Sequence, residues 1–353
     1  MKRLNYLALM AILPLLFSCE KFKVDSQENS FFYIKNKGAE LPVWVRGNTT
    51  SKKFIIYING GPGATSLDIA RADMFGWSEG LETNFAMVYY DQRGCGNAQG
   101  NINDNTLTIK QYVEDLDQII TVLAEQYDQP KIYLMGASFG GFIGANYLLT
   151  DQFQQKISGW ISVDGAYNFD YDLSWQYRRT FLINLAKEEL SLGNKIEHWT
   201  NALVWAEDNP VISTGEQKNK WRSFIGWPGE IILPEERAAL SLRQYLGIGF
   251  FSSYNPFPAY LSSNLEKVNN HLNEDAEGTN LISIVSQITI PSLLIWGRYD
   301  DLIAPEEGKE VFTQFGTEDS HKFYKLLPNS SHEPYISDPE NFKKEVIEFV
   351  TKY

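Results

Sequence analysis

Short apolar runs alternate with amphipathic segments along much of this chain. Six runs have the length expected of strands, and the first two are continuously apolar, as strands buried on both faces of a sheet are. They are residues 54–58, 86–90, 131–135, 157–163, 291–296 and 322–327. Between them, residues 108–127 carry apolar side chains at helical spacing, and residues 346–350 lie in a final helix. This alternation predicts an α/β fold in which helices flank a mostly parallel sheet.

The strand pattern is interrupted between residues 167 and 288. This stretch is rich in aromatic residues and favours helices with irregular loops. Its tryptophans are Trp175, Trp199, Trp205, Trp221 and Trp227. We interpret it as a helical cap inserted over the carboxyl ends of the strands, where such sheets hold their ligands. The core then comprises residues 31–166 and 289–353.

The N-terminus has the pattern of an export signal. Lys2 and Arg3 precede an apolar run at residues 7–17, which is too short to span a membrane. The run ends at Cys19 in a sequence that resembles a bacterial lipobox, so we expect a lipoprotein signal peptide at 1–19 and a polar tether at 20–30. The alternative is an ordinary secretory signal in which Cys19 is incidental. The lipoprotein interpretation predicts export and a lipid anchor at Cys19, on the periplasmic or cell-surface face of a bacterial membrane.

Charge and cysteine content narrow the function classes. The formal net charge of −13 argues against nucleic-acid binding, which needs clustered Lys and Arg to neutralise phosphates. The two cysteines, Cys19 and Cys95, offer no disulfide framework and no metal-type spacing. No metal and no cofactor is implied.

Residues 136–140 read G-A-S-F-G, directly after one predicted strand and before a predicted helix. In this context a G-x-S-x-G sequence predicts a sharp strand-to-helix turn that exposes the serine oxygen above the sheet. The helix N-terminus would favour a negative charge that develops on the substrate. Ser138 is therefore the candidate nucleophile.

A serine nucleophile needs a base and an acid, which follow it along the chain in this class of fold. His332 lies in a loop after the last predicted strand, whereas His198 and His271 fall in the insertion and His321 opens that strand. Asp300 and Asp301 both follow the preceding strand, and either could orient His332. Counting forward from the preceding glycine favours Asp300, and counting back from the following proline favours Asp301. We take His332 as the base and Asp300 as the acid.

Acyl transfer also needs hydrogen-bond donors for an oxyanion. One donor is expected to be the backbone N–H of Phe139, which follows the nucleophile. The other is expected in the glycine-rich loop after the strand at 54–58, and we name Gly61.

Three segments resemble the proline iminopeptidases, a family of α/β-hydrolase serine peptidases. Residues 59–63, N-G-G-P-G, look like the family's H-G-G-P-G loop, and residues 91–96, D-Q-R-G-C-G, match its D-Q-R-G-x-G element. Residues 297–300, G-R-Y-D, look like its acid segment, which favours Asp300. Two positions depart from the family: Phe139 replaces a Trp, and Asn59 replaces a His.

The resemblance implies an α/β-hydrolase fold and a metal-free aminopeptidase that removes an N-terminal residue, often proline. Acidic residues of the family's cap hold the α-ammonium group of the substrate, and Glu207 is the candidate here. We therefore predict a serine hydrolase that cleaves N-terminal residues from short peptides through an acyl-enzyme. The alternatives are a carboxylic-ester or lactone hydrolase of the same fold and a non-catalytic surface binding protein.

Overall fold

The computed structural model describes residues 28–100, 102–225 and 265–353. The predicted signal peptide with Cys19, most of the tether and Trp227 lie outside the described residues. Among the helices that are described, none combines the length and the apolar character that crossing a membrane requires.

A mixed sheet forms the centre of the described structure. Its strands are β1 (Glu28–Asn36), β2 (Ala39–Gly47), β3 (Lys53–Ile58), β4 (Ala86–Tyr90), β5 (Gln99–Gly100), β6 (Lys131–Ala137), β7 (Gly159–Val163), β8 (Ser292–Gly297) and β9 (Lys322–Leu327). The order across the sheet is β1-β2-β4-β3-β6-β7-β8-β9, and β5 pairs with β2. Strands from β4 to β9 along this path are parallel, so the predicted mostly parallel sheet is confirmed.

The sheet begins earlier than the sequence predicted. Strand β1 starts at Glu28, inside the stretch 20–30 that we expected to be a tether. It pairs antiparallel with β2 over its full length, from Glu28 opposite Gly47 to Asn36 opposite Ala39. Backbone pairing holds the polar residues 28–30 in a strand, although the sequence has no apolar side chain there.

Helices cover both faces of the sheet. They are α1 (Leu67–Ala72), α2 (Leu81–Asn84), α3 (Ile109–Gln126), α4 (Phe139–Leu149), α5 (Tyr171–Ser191), α6 (Ile196–Asp208), α7 (Gly215–Ile225), α8 (Leu265–Ala276), α9 (Pro305–Gln314), α10 (Pro334–Ser337) and α11 (Pro339–Lys352). Successive residues of a strand pack into two different apolar cores, one on each face of the sheet. Ile56 lies in one core and Ile55 in the other. Burial on both faces explains why the strands are continuously apolar.

The described part of the insertion divides into two regions. Helices α5, α6 and α7 form a small core of their own, which contains Trp175, Trp199 and Trp221. Helix α8 was predicted as part of the cap, but its buried residues Val268 and Leu272 belong to the core on the sheet. The residues from α8 onward therefore extend the main core, because α8 presents its apolar face to α3.

A buried ion pair fastens the turn after β4 to helix α3. Arg93 donates from Nε and Nη2 to the two carboxylate oxygens of Asp115, at 2.9 and 2.7 Å. Arg93 also donates to the backbone oxygens of Asn36 and Lys37, and neither charged side chain is exposed by more than 3%. A buried ion pair thus holds the D-Q-R-G turn to helix α3, which gives Arg93 a structural role.

We expect Asp115→Ala to lower the free energy of unfolding by about 3–5 kcal/mol, because it leaves the Arg93 guanidinium buried without a counter-charge. Urea denaturation followed by circular dichroism measures the change. Asp128→Ala is the matched control, since Asp128 pairs with Lys52 at the surface and such pairs contribute little. Equal midpoints for wild type and Asp115→Ala would contradict this account.

Candidate active site

Ser138 lies at the turn between β6 and α4, with a left-handed backbone at φ 52° and ψ −121°. Its N–H donates to Val163 O at 3.0 Å, and its carbonyl accepts from Gly141 N at 2.8 Å and Ala166 N at 2.9 Å. These bonds hold a conformation that costs a non-glycine residue about 1–3 kcal/mol. The turn therefore fixes the serine at the carboxyl edge of the sheet.

The turn is possible because its neighbours are glycines. A Cβ at Gly140 would lie 1.9 Å from the carbonyl oxygen of Ile58, so α4 can approach the end of β3 only without a side chain there. A Cβ at Gly60 would lie 3.0 Å from Cβ of Ser138. The G-G-P-G loop after β3 is thus packed directly against the serine.

The two predicted oxyanion donors line the same cavity as Ser138. Gly61 has φ 122°, a backbone conformation that favours glycine, and Phe139 opens helix α4. Among the described residues, neither backbone N–H donates a hydrogen bond to a protein acceptor. Both residues thus line the cavity with a backbone N–H that has no acceptor within the described chain.

Asp91 connects two of the three segments that carry the family resemblance. Its carboxylate accepts from the backbone N–H groups of Ser66 and Leu67 at 2.8 and 3.2 Å, and from that of Asn97 at 2.9 Å. It thereby ties the turn after β4 to the far end of the G-G-P-G loop. Cys95 in that turn is buried, and burial raises the pKa of its thiol to about 12, which does not favour a thiolate nucleophile.

His332 and Asp300 meet across two loops that follow β9 and β8. The Nδ1 atom of His332 lies 2.9 Å from Oδ2 of Asp300, whose side chain is fully buried. Tyr299 N–H donates to Ser330 O at 2.9 Å, and a Cβ at Gly297 would lie 1.9 Å from Ser331 O. Close backbone contact between the loops thus sets the His332–Asp300 distance.

The carboxylate on His332 is that of Asp300 rather than that of Asp301. Asp300 Oδ1 also accepts from the N–H groups of Leu302 and Ile303, at 2.9 and 3.0 Å. Asp301 is buried, and within the described chain neither of its carboxyl oxygens has a hydrogen-bond partner. Burial and the charge of Asp300 raise the pKa of Asp301 to about 7.

The charges around His332 favour its protonated form. Burial opposes a charged imidazole, but the charge and the hydrogen bond of Asp300 outweigh burial, and Glu333 adds to them. The pKa of His332 is consequently raised above its ordinary value. A base of this kind accepts a proton and holds the resulting imidazolium beside Asp300.

Within the described residues, three side chains are close enough together to offer ligand atoms to a metal. They are Asp164, Asp300 and His332, whose ligand atoms lie within 4.8 Å of one another. Their lone pairs are largely committed to protein donors. Asp300 accepts from His332 and two backbone N–H groups, and Asp164 Oδ1 accepts from Gly297 N–H at 2.8 Å. The arrangement fits a hydrogen-bonded acid–histidine pair better than a metal centre.

The cavity beside Ser138 has a volume of about 180 Å³. Its wall combines apolar residues, among them Phe139 and Phe169, with the charged side chains of Arg178 and Glu307. Glu307 is 2% exposed, and its Oε1 has no hydrogen-bond partner within the described chain. Burial raises the pKa of Glu307 to about 8, although the Arg178 charge opposes this.

Glu207 does not join this site. It lies exposed near the end of α6 and is not among the described residues that line the cavity, so the structure does not bring this predicted substrate-binding acid to Ser138. Residue position within the insertion could not show which acidic side chains turn inward. The buried carboxyl that lines the cavity is Glu307, which comes from core helix α9.

Two further residues of the site were missed in the sequence. Asp164 follows β7 directly, at the same sheet edge as Ser138, and that position was a usable signal. Arg178 had no signal, because α5 carries many polar residues and only packing selects the inward ones. The described tryptophans of the insertion do not line the cavity, and His198 bonds to Phe224 O within the cap.

Comparison with known proteins supports this description of the fold. A family model described as alpha/beta hydrolase fold matches residues 53–339. The probable aminopeptidase YbaC of Bacillus subtilis is 20% identical over 307 residues, which cover 84% of this chain and 89% of YbaC. A proline iminopeptidase of Elizabethkingia meningoseptica is 22% identical over 325 residues, covering 87% of this chain and 93% of that protein.

A solved structure is similar over nearly its whole length. The esterase EaEST from Exiguobacterium antarcticum superposes with a TM-score of 0.59 at 15% identity, covering 91% of this chain and 100% of the esterase. At this identity the likeness concerns the fold alone. The predicted fold class and the resemblance to proline iminopeptidases are confirmed by these comparisons.

We expect Asp300→Asn to slow the labelling of Ser138 by a fluorophosphonate about a thousandfold or more. The Asn amide donates to His332 Nδ1, which leaves the proton on Nε2 and removes the base. Any residual labelling should depend on a lower pKa, because the Asp300 charge raises the pKa of His332. Labelling rates between pH 5 and 9 measure both effects.

Asp301→Asn is the matched control for this substitution, since Asp301 is adjacent and buried but makes no hydrogen bond to His332. Its labelling rate should stay within about tenfold of wild type. A larger loss of labelling rate in Asp301→Asn than in Asp300→Asn would show that Asp301, and not Asp300, is the acid.

Proposed function

The chain belongs to the alpha/beta hydrolase family, and we propose that it is a serine hydrolase and, more narrowly, an aminopeptidase that acts on short peptides. Ser138 is the nucleophile, His332 the base and Asp300 the acid that orients it. The contact that supports this assignment is the His332–Asp300 hydrogen bond at the sheet edge that also holds Ser138.

The first half of the reaction forms an acyl-enzyme. His332 Nε2 takes the proton as Ser138 Oγ attacks the scissile carbonyl, and Asp300 accepts the Nδ1–H of the imidazolium. The developing oxyanion receives hydrogen bonds from the N–H groups of Gly61 and Phe139. The imidazolium then protonates the leaving amine, and the C–N bond breaks.

The second half releases the acyl group. His332 takes a proton from a water molecule, which attacks the ester carbonyl of the acyl-enzyme. The same N–H groups stabilise the second oxyanion. Ser138 leaves with the proton from His332, which returns the site to its starting state and yields an amino acid.

The preference for peptides with a free N-terminus is supported by Glu307. A buried carboxyl with an unfilled hydrogen-bond acceptor is costly, and an ammonium group of a substrate would satisfy it. A cation in the cavity favours the carboxylate and so lowers the pKa of Glu307 from about 8. A cavity of about 180 Å³ fits one or two residues, which favours short peptides.

An ester hydrolase is the second candidate. The apolar side chains of Phe139 and Phe169 in the cavity wall would receive a short acyl chain. In that reaction Glu307 stays neutral and contributes no charge. The two candidates share Ser138, His332 and Asp300 and differ in whether the substrate carries an ammonium group.

We expect Glu307→Gln to lower kcat/KM for prolyl and other aminoacyl arylamides about 10- to 100-fold, chiefly through KM. The amide removes the negative charge that would pair with the α-ammonium group. The same arylamides should be cleaved slowly after N-acetylation. Rates on short-chain aryl esters should be the same for Glu307→Gln and wild type. Glu207→Gln is the matched control and should behave as wild type, because Glu207 is exposed outside the cavity.

Ser138→Ala should abolish all of these activities. Ester turnover that depends on Ser138, without any arylamide cleavage, would leave the serine hydrolase in place and reject the aminopeptidase. Arylamide cleavage that Glu307→Gln does not change would reject Glu307 as the ammonium site.

We also propose that the protein is exported and anchored by lipid at Cys19, as the N-terminal pattern predicts. In a bacterial host, wild type should enter the membrane fraction and incorporate labelled palmitate, whereas Cys19→Ser should do neither. Cys95→Ser is the matched control and should stay in the membrane fraction. Palmitate incorporation by Cys19→Ser would contradict the anchor at this residue.

A further inference from the structure

Two buried carboxyl groups meet beneath His332. Asp164 follows β7 and Asp300 follows the adjacent parallel strand β8, so both side chains lie at the same edge of the sheet. Both are 0% exposed. One carboxyl oxygen of each lies within 4.8 Å of the other and of the His332 ring nitrogen.

The hydrogen bonds of this pair are incomplete in one place. Asp164 Oδ1 accepts from Gly297 N–H at 2.8 Å, but within the described chain Asp164 Oδ2 has no partner. Asp300 accepts from Leu302 N–H, Ile303 N–H and the His332 ring, so it has donors on both oxygens. Asp164 Oδ2 is therefore a buried oxygen without a donor, and a second buried carboxyl group lies beside Asp164.

Two negative charges at this separation would be costly in a site without solvent. Burial raises the pKa of Asp164 well above its ordinary range, and the charge of Asp300 raises it further. The hydrogen bond from Gly297 acts in the opposite direction but does not outweigh them. The negative charge is more stable on Asp300 than on Asp164, because Asp300 accepts three hydrogen bonds and Asp164 accepts one.

We propose that Asp164 retains its proton at neutral pH and donates an Oδ2–H···O hydrogen bond to Asp300, as a positioning residue for the acid. This inference rests on the proposed roles of Ser138, His332 and Asp300. The bond would fix the plane of the Asp300 carboxylate from the side opposite His332. It also leaves a single negative charge in the pair, so that His332 faces one counter-ion rather than two.

Other titratable groups act on the pair from the surrounding elements. They are Asp301 in the β8–α9 loop, His332 and Glu333 in the β9–α10 loop, Arg178 on α5, Glu307 on α9, Tyr324 on β9 and Tyr335 on α10. Arg178 is the cation among them besides His332. Within the described chain none of these groups donates a hydrogen bond to Asp164 Oδ2, which leaves Asp300 as its partner.

The test compares Asp164→Asn with Asp164→Ala in the full chain. An Asn in the same rotamer accepts from Gly297 N–H through its oxygen and donates to Asp300 through its nitrogen. A neutral Asp164 therefore predicts that Asp164→Asn labels with a fluorophosphonate at nearly the wild-type rate, with the same pH midpoint. Asp164→Ala removes the donor and should slow labelling about tenfold or more.

An ionised Asp164 predicts the opposite result. Asp164→Asn would then remove a negative charge beside His332, and the pH midpoint of labelling would fall by about one unit. Such a fall, or a loss in Asp164→Asn as large as in Asp164→Ala, would overturn the proposal. Circular dichroism and urea midpoints establish that each variant is folded.

Infrared difference spectroscopy tests the proton without using activity. The spectrum of wild type minus Asp164→Asn at pH 7 should contain the C=O stretch of a protonated carboxylic acid. A carboxylate signal in its place would overturn the proposal. This readout also separates the two hypotheses, because normal labelling of His332→Ala would reject the proposed base while the infrared signal still reports the proton on Asp164.

Discussion

The left-handed backbone of Ser138 is the constraint on which the site is built. A serine with φ 52° is held there because β7, the segment that follows β7 and helix α4 supply hydrogen-bond partners to its N–H and carbonyl groups. Gly140 lets α4 approach β3, and Gly60 lets the G-G-P-G loop after β3 pack against the serine itself. Buried parallel strands thus hold the serine and the N–H groups of Gly61 and Phe139 at one edge of the sheet.

A second pair of loops supplies the histidine and the acid to that edge. The loops after β8 and β9 are in backbone contact at Gly297 and Ser331, which leaves little freedom for the His332–Asp300 bond. Their surroundings are poor in solvent, and carboxyl groups there have pKa values raised by burial. The same low exposure that makes charges costly also strengthens the hydrogen bonds that remain. Burial and hydrogen bonding together therefore decide which of these carboxyl groups keeps its proton.

The cap helices contribute differently from the core. Helices α5 to α7 are held by their own apolar cluster, in which the described tryptophans pack, and α5 sends Arg178 to the cavity. The acidic residue of the cavity comes instead from core helix α9. A core residue that faces the cavity keeps its position relative to Ser138, because both belong to elements packed on one sheet.

The sequence alone predicts the α/β fold, most of the strands and the residues near the serine. Those features depend on local patterns: continuous apolar runs for strands buried on both faces, and glycines where the backbone must turn or approach closely. It indicated His332 as the base and favoured Asp300 over the neighbouring Asp301 as the acid. Only the tertiary structure put Asp300 on His332, Asp164 beside Asp300, and Glu307 in the cavity instead of Glu207. These choices depend on which side chain turns inward where distant segments pack, and residues far apart in the chain carry no local pattern that records it.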